Sequence, residues 1–326
     1  MDKQEQLVRA SYRGSIKIVR ALLKEGISPN SSDKNGQTAL YFAAQNGNTE
    51  IVKALLEAGA DVDKESGWPK RTALFTAAVG FQYETAKVLM MAGSSIDKLD
   101  GDGIAPLHYL VGGVRRDSDI AQKGEILKQF IEELHPDVNK KTQWGVSPLQ
   151  CASLLCHPAI VKILLEAGAD VNYADDAGNT ALHRAVRNND ILTVGILLEA
   201  GADINCANKR GETPLHTAVY NENIQCITAL LNAGADINKT DNDGKTPLRV
   251  AAGSNLKVGT ALLLAAGADK TIADKNGQTA LDVAKQCKYA DIVCLLDSMI
   301  IKPTSVKVSG HVKRVNYQNT HKKIKC

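Results

Sequence analysis

No charge of one sign prevails in this 326-residue chain. Lysine and arginine number 39 against 36 acids, a net of +3. That balance speaks against a generic nucleic-acid binder, whose affinity rests on an excess of cations. Long apolar runs are missing too. The longest, Val258 to Ala268, is interrupted by Gly259, Thr260 and Gly267 and reaches about half of the ~20 residues a bilayer crossing needs. The opening Met1-Asp2-Lys3-Gln4-Glu5-Gln6 has no apolar h-region, so no cleaved secretory signal is expected. Cysteines are seven, an odd number at irregular spacings. Reduced thiols in a cytosol-like compartment are therefore expected, not a disulfide framework. Aromatic residues are scarce at 4%, yet 44% of the chain is hydrophobic, ample for a packed core and incompatible with wholesale disorder.

What the chain does have is self-similarity. One tetrad recurs as Thr38-Ala39-Leu40-Tyr41, Thr72-Ala73-Leu74-Phe75, Ala105-Pro106-Leu107-His108 and Ser147-Pro148-Leu149-Gln150. It continues as Thr180-Ala181-Leu182-His183, Thr213-Pro214-Leu215-His216, Thr246-Pro247-Leu248-Arg249 and Thr279-Ala280-Leu281-Asp282. The steps are 34, 33, 42, 33, 33, 33 and 33 residues, and 33 residues before Thr38 a similar helix opens near Glu5. Nine units follow, beginning near residues 5, 38, 72, 105, 147, 180, 213, 246 and 279.

Each unit carries the same local instructions. Thr or Ser is a helix N-cap, with Pro or Ala at the first helical position. An alanine pair such as Ala43-Ala44 admits a close neighbour. After a short turn a second helix shows the spacing Ile51, Val52, Leu55, Leu56, and it stops at glycines such as Gly59, Gly168, Gly201, Gly234 and Gly267. A polar tip with another glycine, for example Gly178 or Gly211, suits a turn.

The period, the Thr-Pro-Leu-His-type tetrad and the Leu-Leu-Glu-Ala-Gly-Ala-Asp run resemble the ankyrin-repeat family. The resemblance covers residues 5–300. It implies an all-α solenoid of nine stacked ankyrin repeats, each a helix-turn-helix with a β-hairpin finger at right angles, curved so that the first helices line a concave face. It also implies a non-enzymatic interaction scaffold or adaptor whose partner is another protein. The alternatives are a host-directed bacterial or viral effector and, less favoured, an array binding a small phosphorylated ligand. The polar terminal units, with Lys3, Gln4 and Glu5 at one end and Lys285, Gln286 and Lys288 at the other, lead us to expect a monomer that does not stack end to end. A cytoplasmic place is expected, with the nucleus or a host cytosol as alternatives.

Departures from the repeat suggest where a partner binds. The finger before Thr72 has one extra residue, Trp68-Pro69 at its tip, and Lys70 in place of the turn glycine. Trp68 either contacts a partner or packs back onto the next finger. The position after the tetrad and those after the alanine pair are expected to face the groove: Phe42, Thr76, Tyr109, Cys151, Arg184, Thr217 and Val250, then Gln45, Val79, Arg187 and Tyr220. From these and the fingers come the candidate contacts Phe42, Trp68, Arg71, Tyr109, Trp144, Arg184, Arg187 and Tyr220. Phe42, Tyr109 and Trp68 would form an aromatic half, and Arg184 with Arg187 a basic middle. The 42-residue unit carries nine added residues at Gly112–Gly124, read as a solvated loop. The segment from residue 301 to 326 reads as a flexible basic tail. Seven cations and no acids lie from Lys302 onward, and residues 1–301 alone hold 32 basic and 36 acidic groups.

No catalytic constellation, metal site or cofactor is expected. His108, His183 and His216 all fill the fourth tetrad position, where the resemblance implies hydrogen bonds to neighbouring loop backbone. The spacing of Cys151, Cys156 and His157 fits no zinc pattern. Cys151 and Cys226 read as small apolar residues. The finger asparagines Asn139, Asn172, Asn205 and Asn238 resemble positions that are hydroxylated in some members of the family, and a finger-stabilising hydrogen bond accounts for them equally.

Overall fold

A computed structural model describes residues 2–113 and 120–298. Eighteen helices run in chain order through them: α1 Lys3–Tyr12, α2 Ile16–Lys24, α3 Ala39–Gln45, α4 Thr49–Glu57, α5 Ala73–Val79, α6 Tyr83–Met91, α7 Pro106–Gly113, α8 Ile120–Leu134, α9 Pro148–Leu154 and α10 Pro158–Glu166. Then come α11 Ala181–Arg187, α12 Ile191–Glu199, α13 Pro214–Tyr220, α14 Ile224–Asn232, α15 Pro247–Gly253, α16 Lys257–Ala265, α17 Ala280–Gln286 and α18 Ala290–Ser298. Odd-numbered helices pack on the next odd one, even-numbered on the next even one, and every odd helix except α7 is shown packed on the even helix that follows it.

The tetrad explains where the odd helices begin. Thr38 Oγ1 accepts the Tyr41 N–H at 3.1 Å, and Thr72, Ser147 and Thr246 do the same for Phe75, Gln150 and Arg249. Each such bond satisfies a donor that the first turn leaves orphaned. The alanine pairs are fully buried at Ala43, Ala44, Ala77 and Ala78, which lets consecutive odd helices approach. The even helices bury one stripe, for example Ile51, Val52 and Leu55 in α4 or Ile160, Val161 and Leu164 in α10. Cys226 is buried at the place of Ile51, as its register implies. The even helices end where Gly59 and its counterparts take a left-handed conformation, φ 88° at Gly59.

The fingers differ from the β-hairpins implied by the resemblance. Among the described residues there is no strand, only isolated bridges such as Ser66 with Arg71. One short side chain closes most of the turns. Oδ1 of Asp175 accepts from the Ala177 and Asn179 N–H groups at 2.9 Å each; Asp33, Asp100, Asp241 and Asp274 repeat this, and Thr142 and Asn208 substitute for it. Each tip then accepts a single backbone bond from the next tip, as in Lys209 N–H to Ala177 O at 3.0 Å and Asn242 N–H to Arg210 O at 2.9 Å. One bond per finger joins the row without building a ladder. The approach is close: a Cβ on Gly211 would lie 2.5 Å from the Asn242 nitrogen.

The long insert is not a loop throughout. Gly112 and Gly113 end α7, and Ile120 to Gly124 open α8, which has 15 residues where its neighbours have nine. Ala121, Gln122 and Lys123 are good helix formers, so the helix extends backward through them. Residues 114–119 lie outside the described residues, as does the basic tail.

Candidate functional site

A concavity of about 940 Å³ lies between the fingers and the odd helices α11 and α13. Arg184, Arg187 and Tyr220 line it, so three of the expected contacts share one site. Its other wall was not read from the sequence. Lys209, Arg210, Glu212, Asp241 and Asp243 come from the fingers. The recurring short acceptor five residues before most tetrads, Asp175, Asp241 and Asp274 among them, marks these turns but does not reveal that the second oxygen of these carboxylates faces the groove.

That second oxygen organises the face between the fingers and the odd helices. Oδ2 of Asp100 accepts from Arg71 Nε and Nη2 at 3.2 Å each, and from the Tyr109 hydroxyl at 3.2 Å. Asp175 Oδ2 accepts from Arg184 Nη2 at 2.6 Å. Asp274 Oδ2 accepts from Arg249 Nε at 3.0 Å and Nη2 at 2.7 Å. Arg71 and Arg184, expected as partner contacts, are therefore already committed within the chain. Their side chains are only 20% and 21% exposed, because a finger carboxylate out of water draws the nearest guanidinium onto it.

The aromatic half does not assemble as expected. Phe42 meets Tyr12 and Tyr41 edge-on, both at 5.4 Å. Tyr109 meets Phe75 at 5.5 Å, and the Arg71 guanidinium lies 4.5 Å from the Tyr109 ring. None of the ring contacts among the described residues joins Phe42, Tyr109 and Trp68 to one another. Trp68 stands at its finger tip 79% exposed, and Trp144 is 55% exposed on another finger. Trp68 thus does not pack back onto a neighbour. Its finger turns without the usual glycine because Lys70 adopts φ 57°. Thr76 and Val250, expected to face the groove, are buried. The position after the tetrad sits between adjacent odd helices; Thr76 and Val250 stay within the gap, while Arg184, Phe42 and Thr217 are partly exposed there. Cys151 is half-buried there, its thiol pushed up to about 11 chiefly by burial.

The histidines are structural. Thr180 N–H donates to His183 Nδ1 at 3.1 Å, so the proton resides on Nε2, which donates to Glu212 O at 3.1 Å. His216 bonds Thr213 N–H and Lys245 O in the same way. Gln150 reproduces the arrangement with an amide, taking the Ser147 N–H on Oε1 and giving Nε2 to Tyr173 O and Asn179 O. The finger asparagines also serve the stack: Asn172 Oδ1 accepts the Asp203 N–H at 2.7 Å, and Asn139, Asn205 and Asn238 do likewise one finger along. Among the described residues no three His, Cys, Asp or Glu side chains converge as metal ligands, and no helix is long and apolar enough to cross a membrane.

Curated relatives share part of this chain. Neurogenic locus notch homolog protein 1 of Homo sapiens is 27% identical over 175 residues, 53% of this chain and 5% of that protein. Neurogenic locus notch homolog protein 2 of Homo sapiens is 28% identical over 178 residues, 54% of this chain and 6% of that protein. Neurogenic locus notch homolog protein 1 of Danio rerio is 26% identical over 162 residues, 50% of this chain and 5% of that protein. The chain thus spans about a twentieth of the length of these relatives. A family profile described as ankyrin repeats in three copies matches residues 7–111, 118–208 and 193–274. With capped helix pairs, left-handed glycine stops and bonded fingers repeated along the same stretch, the chain belongs to the ankyrin-repeat family.

Proposed function

We propose that this protein is a non-enzymatic, monomeric protein-binding scaffold or adaptor of nine ankyrin units over residues 5–300, acting in the cytoplasm. Its partner docks in the concave groove between the fingers and helices α11 and α13. One observation carries this reading: Arg187, Lys209 and Arg210 line the groove, and no ion pair among the described residues uses them. Tyr220 adds a 44% exposed ring in the same place. Fingers bonded tip to tip hold these groups in place before binding, which lowers the ordering cost of association. Arg and Tyr are also among the side chains that most often dominate interface energetics. Trp68 and Trp144 extend the contact surface along the finger tips.

Photo-cross-linking tests the reading. A photoreactive amino acid replaces Asn221 in the groove, or Leu192 on the outer helix α12, where it is 71% exposed. In a cell extract the Asn221 position is expected to give discrete protein adducts and the Leu192 position none. Equal labelling from both positions would remove the case for the groove.

A further inference from the structure

Four finger aspartates are buried: Asp100, Asp175, Asp241 and Asp274, at 6%, 6%, 8% and 5% exposure. In each, Oδ1 closes its own turn. In three, Oδ2 holds an arginine of this chain. Those arginines come from three different places in the repeat. Arg71 lies 29 residues before its aspartate, Arg249 lies 25 before, and Arg184 lies nine after. The same three places around Asp241 hold Glu212, His216 and Val250. None supplies a cation. His216 is neutral, with Nε2 on Lys245 O, and Val250 is buried. Glu212 brings a second carboxylate, itself bonded by Asn208 Nδ2 at 3.0 Å. Asp241 is in no ion pair among the described residues, and its Oδ2 has only the Tyr220 hydroxyl at 3.4 Å. Yet this carboxylate lines the 940 Å³ groove, beside an accessible ring.

We propose that the partner supplies the fourth arginine: a guanidinium of the bound protein segment sits on Asp241 and Glu212 against the Tyr220 ring. This rests on the reading of the groove as a protein-binding surface. The Arg71 site is the template. There a guanidinium serves Asp100 Oδ2 while lying 4.8 and 4.5 Å from the Phe75 and Tyr109 rings. A guanidinium suits the place better than an ammonium, because its planar fork can bond two acceptors and stack on a ring at once. The rest of the groove sets the sequence around it. Arg187, Lys209 and Arg210 would repel further cations, so the segment carries a single arginine flanked by acidic residues.

Fluorescence anisotropy with the full chain tests this. The probes are two labelled nine-residue peptides with alternating Asp and Gly flanks, one with a central arginine and one with neutral, near-isosteric citrulline. The arginine peptide is expected to bind about tenfold tighter, as befits one charge-assisted contact. Asp241→Asn should erase that preference while leaving the finger folded, since Asn208 closes the equivalent turn with its own Oδ1. Glu212→Arg gives a second, independent readout. It places an intrachain guanidinium where Arg71 stands relative to Asp100, and it should raise the melting temperature and block the arginine peptide. Wild-type chain that does not distinguish the two peptides, whether both bind or neither does, overturns the inference. So does a preference that survives Asp241→Asn, or undiminished arginine-peptide binding by Glu212→Arg. If the peptides fail while Asn221 still cross-links to protein, the arginine is wrong and the groove reading stands. If the cross-links fail as well, both fall.

Discussion

Arg71 donates twice to a single oxygen of Asp100, 29 residues further along, while the other oxygen of that carboxylate closes a finger turn. One side chain thus fixes a turn and ties it to its neighbour. Replacing Asp100 by Asn keeps the turn and removes the charge, which leaves the Arg71 guanidinium between two rings without its anion. The expected loss is about 2–3 kcal/mol. It falls toward the low end for a broken buried pair because the Arg71 side chain remains 20% exposed. The shift in urea midpoint measures it. No shift would mean that the pair behaves like an exposed one.

Burial holds the imidazoles of His108, His183 and His216 below their ordinary pKa. The unfolded chain therefore takes up protons at a pH where the folded chain does not. Stability is complete above about pH 6.5 and declines as pH falls below that value. Gln150 shows which side chain can replace histidine. A His108→Gln/His183→Gln/His216→Gln variant should flatten the fall in melting temperature between pH 7 and pH 5.5. An unchanged slope would place the acid sensitivity in other groups.

Between every odd helix except α7 and the even helix that follows, one residue takes the left-handed conformation. It is glycine at Gly14 and Gly47, but Phe81 (φ 56°) and Glu222 (φ 55°) elsewhere. Glu222 is exposed, so Glu222→Gly relieves backbone strain with little else lost, and should stabilise by about 0.5–1 kcal/mol. Phe81 packs against the core. Phe81→Gly forfeits burial worth about 2 kcal/mol, more than the strain it relieves, so it should destabilise. Calorimetric melting of the two variants should show shifts of opposite sign.

Trp68 is 79% exposed, so Trp68→Ala should change stability by less than about 0.5 kcal/mol. A larger drop in thermal melting would show that the indole stabilises its finger after all. If stability is unchanged while cross-linking from Asn221 weakens, the finger tip shares the partner surface with the groove.

Local instructions were legible in the residues themselves. Thr38 caps a helix through the N–H three residues on, Gly59 stops one through its own φ, and Asp175 closes a turn four residues long. Each needs only its immediate neighbours, so the repeat, its period and its helix pairs follow from the order of amino acids. The choice of groove residues does not. Arg71 and Arg187 are alike as letters, yet one is drawn onto Asp100 and the other lines open solvent. Thr76 and Arg184 share a register, yet only the longer one escapes the gap between helices. Stacking alone brings Asp241 beside Glu212 with no arginine between them. Residues 29 positions apart in the chain become partners only once consecutive units are packed, and that packing decides which charges are spent inside the protein and which are left for another molecule.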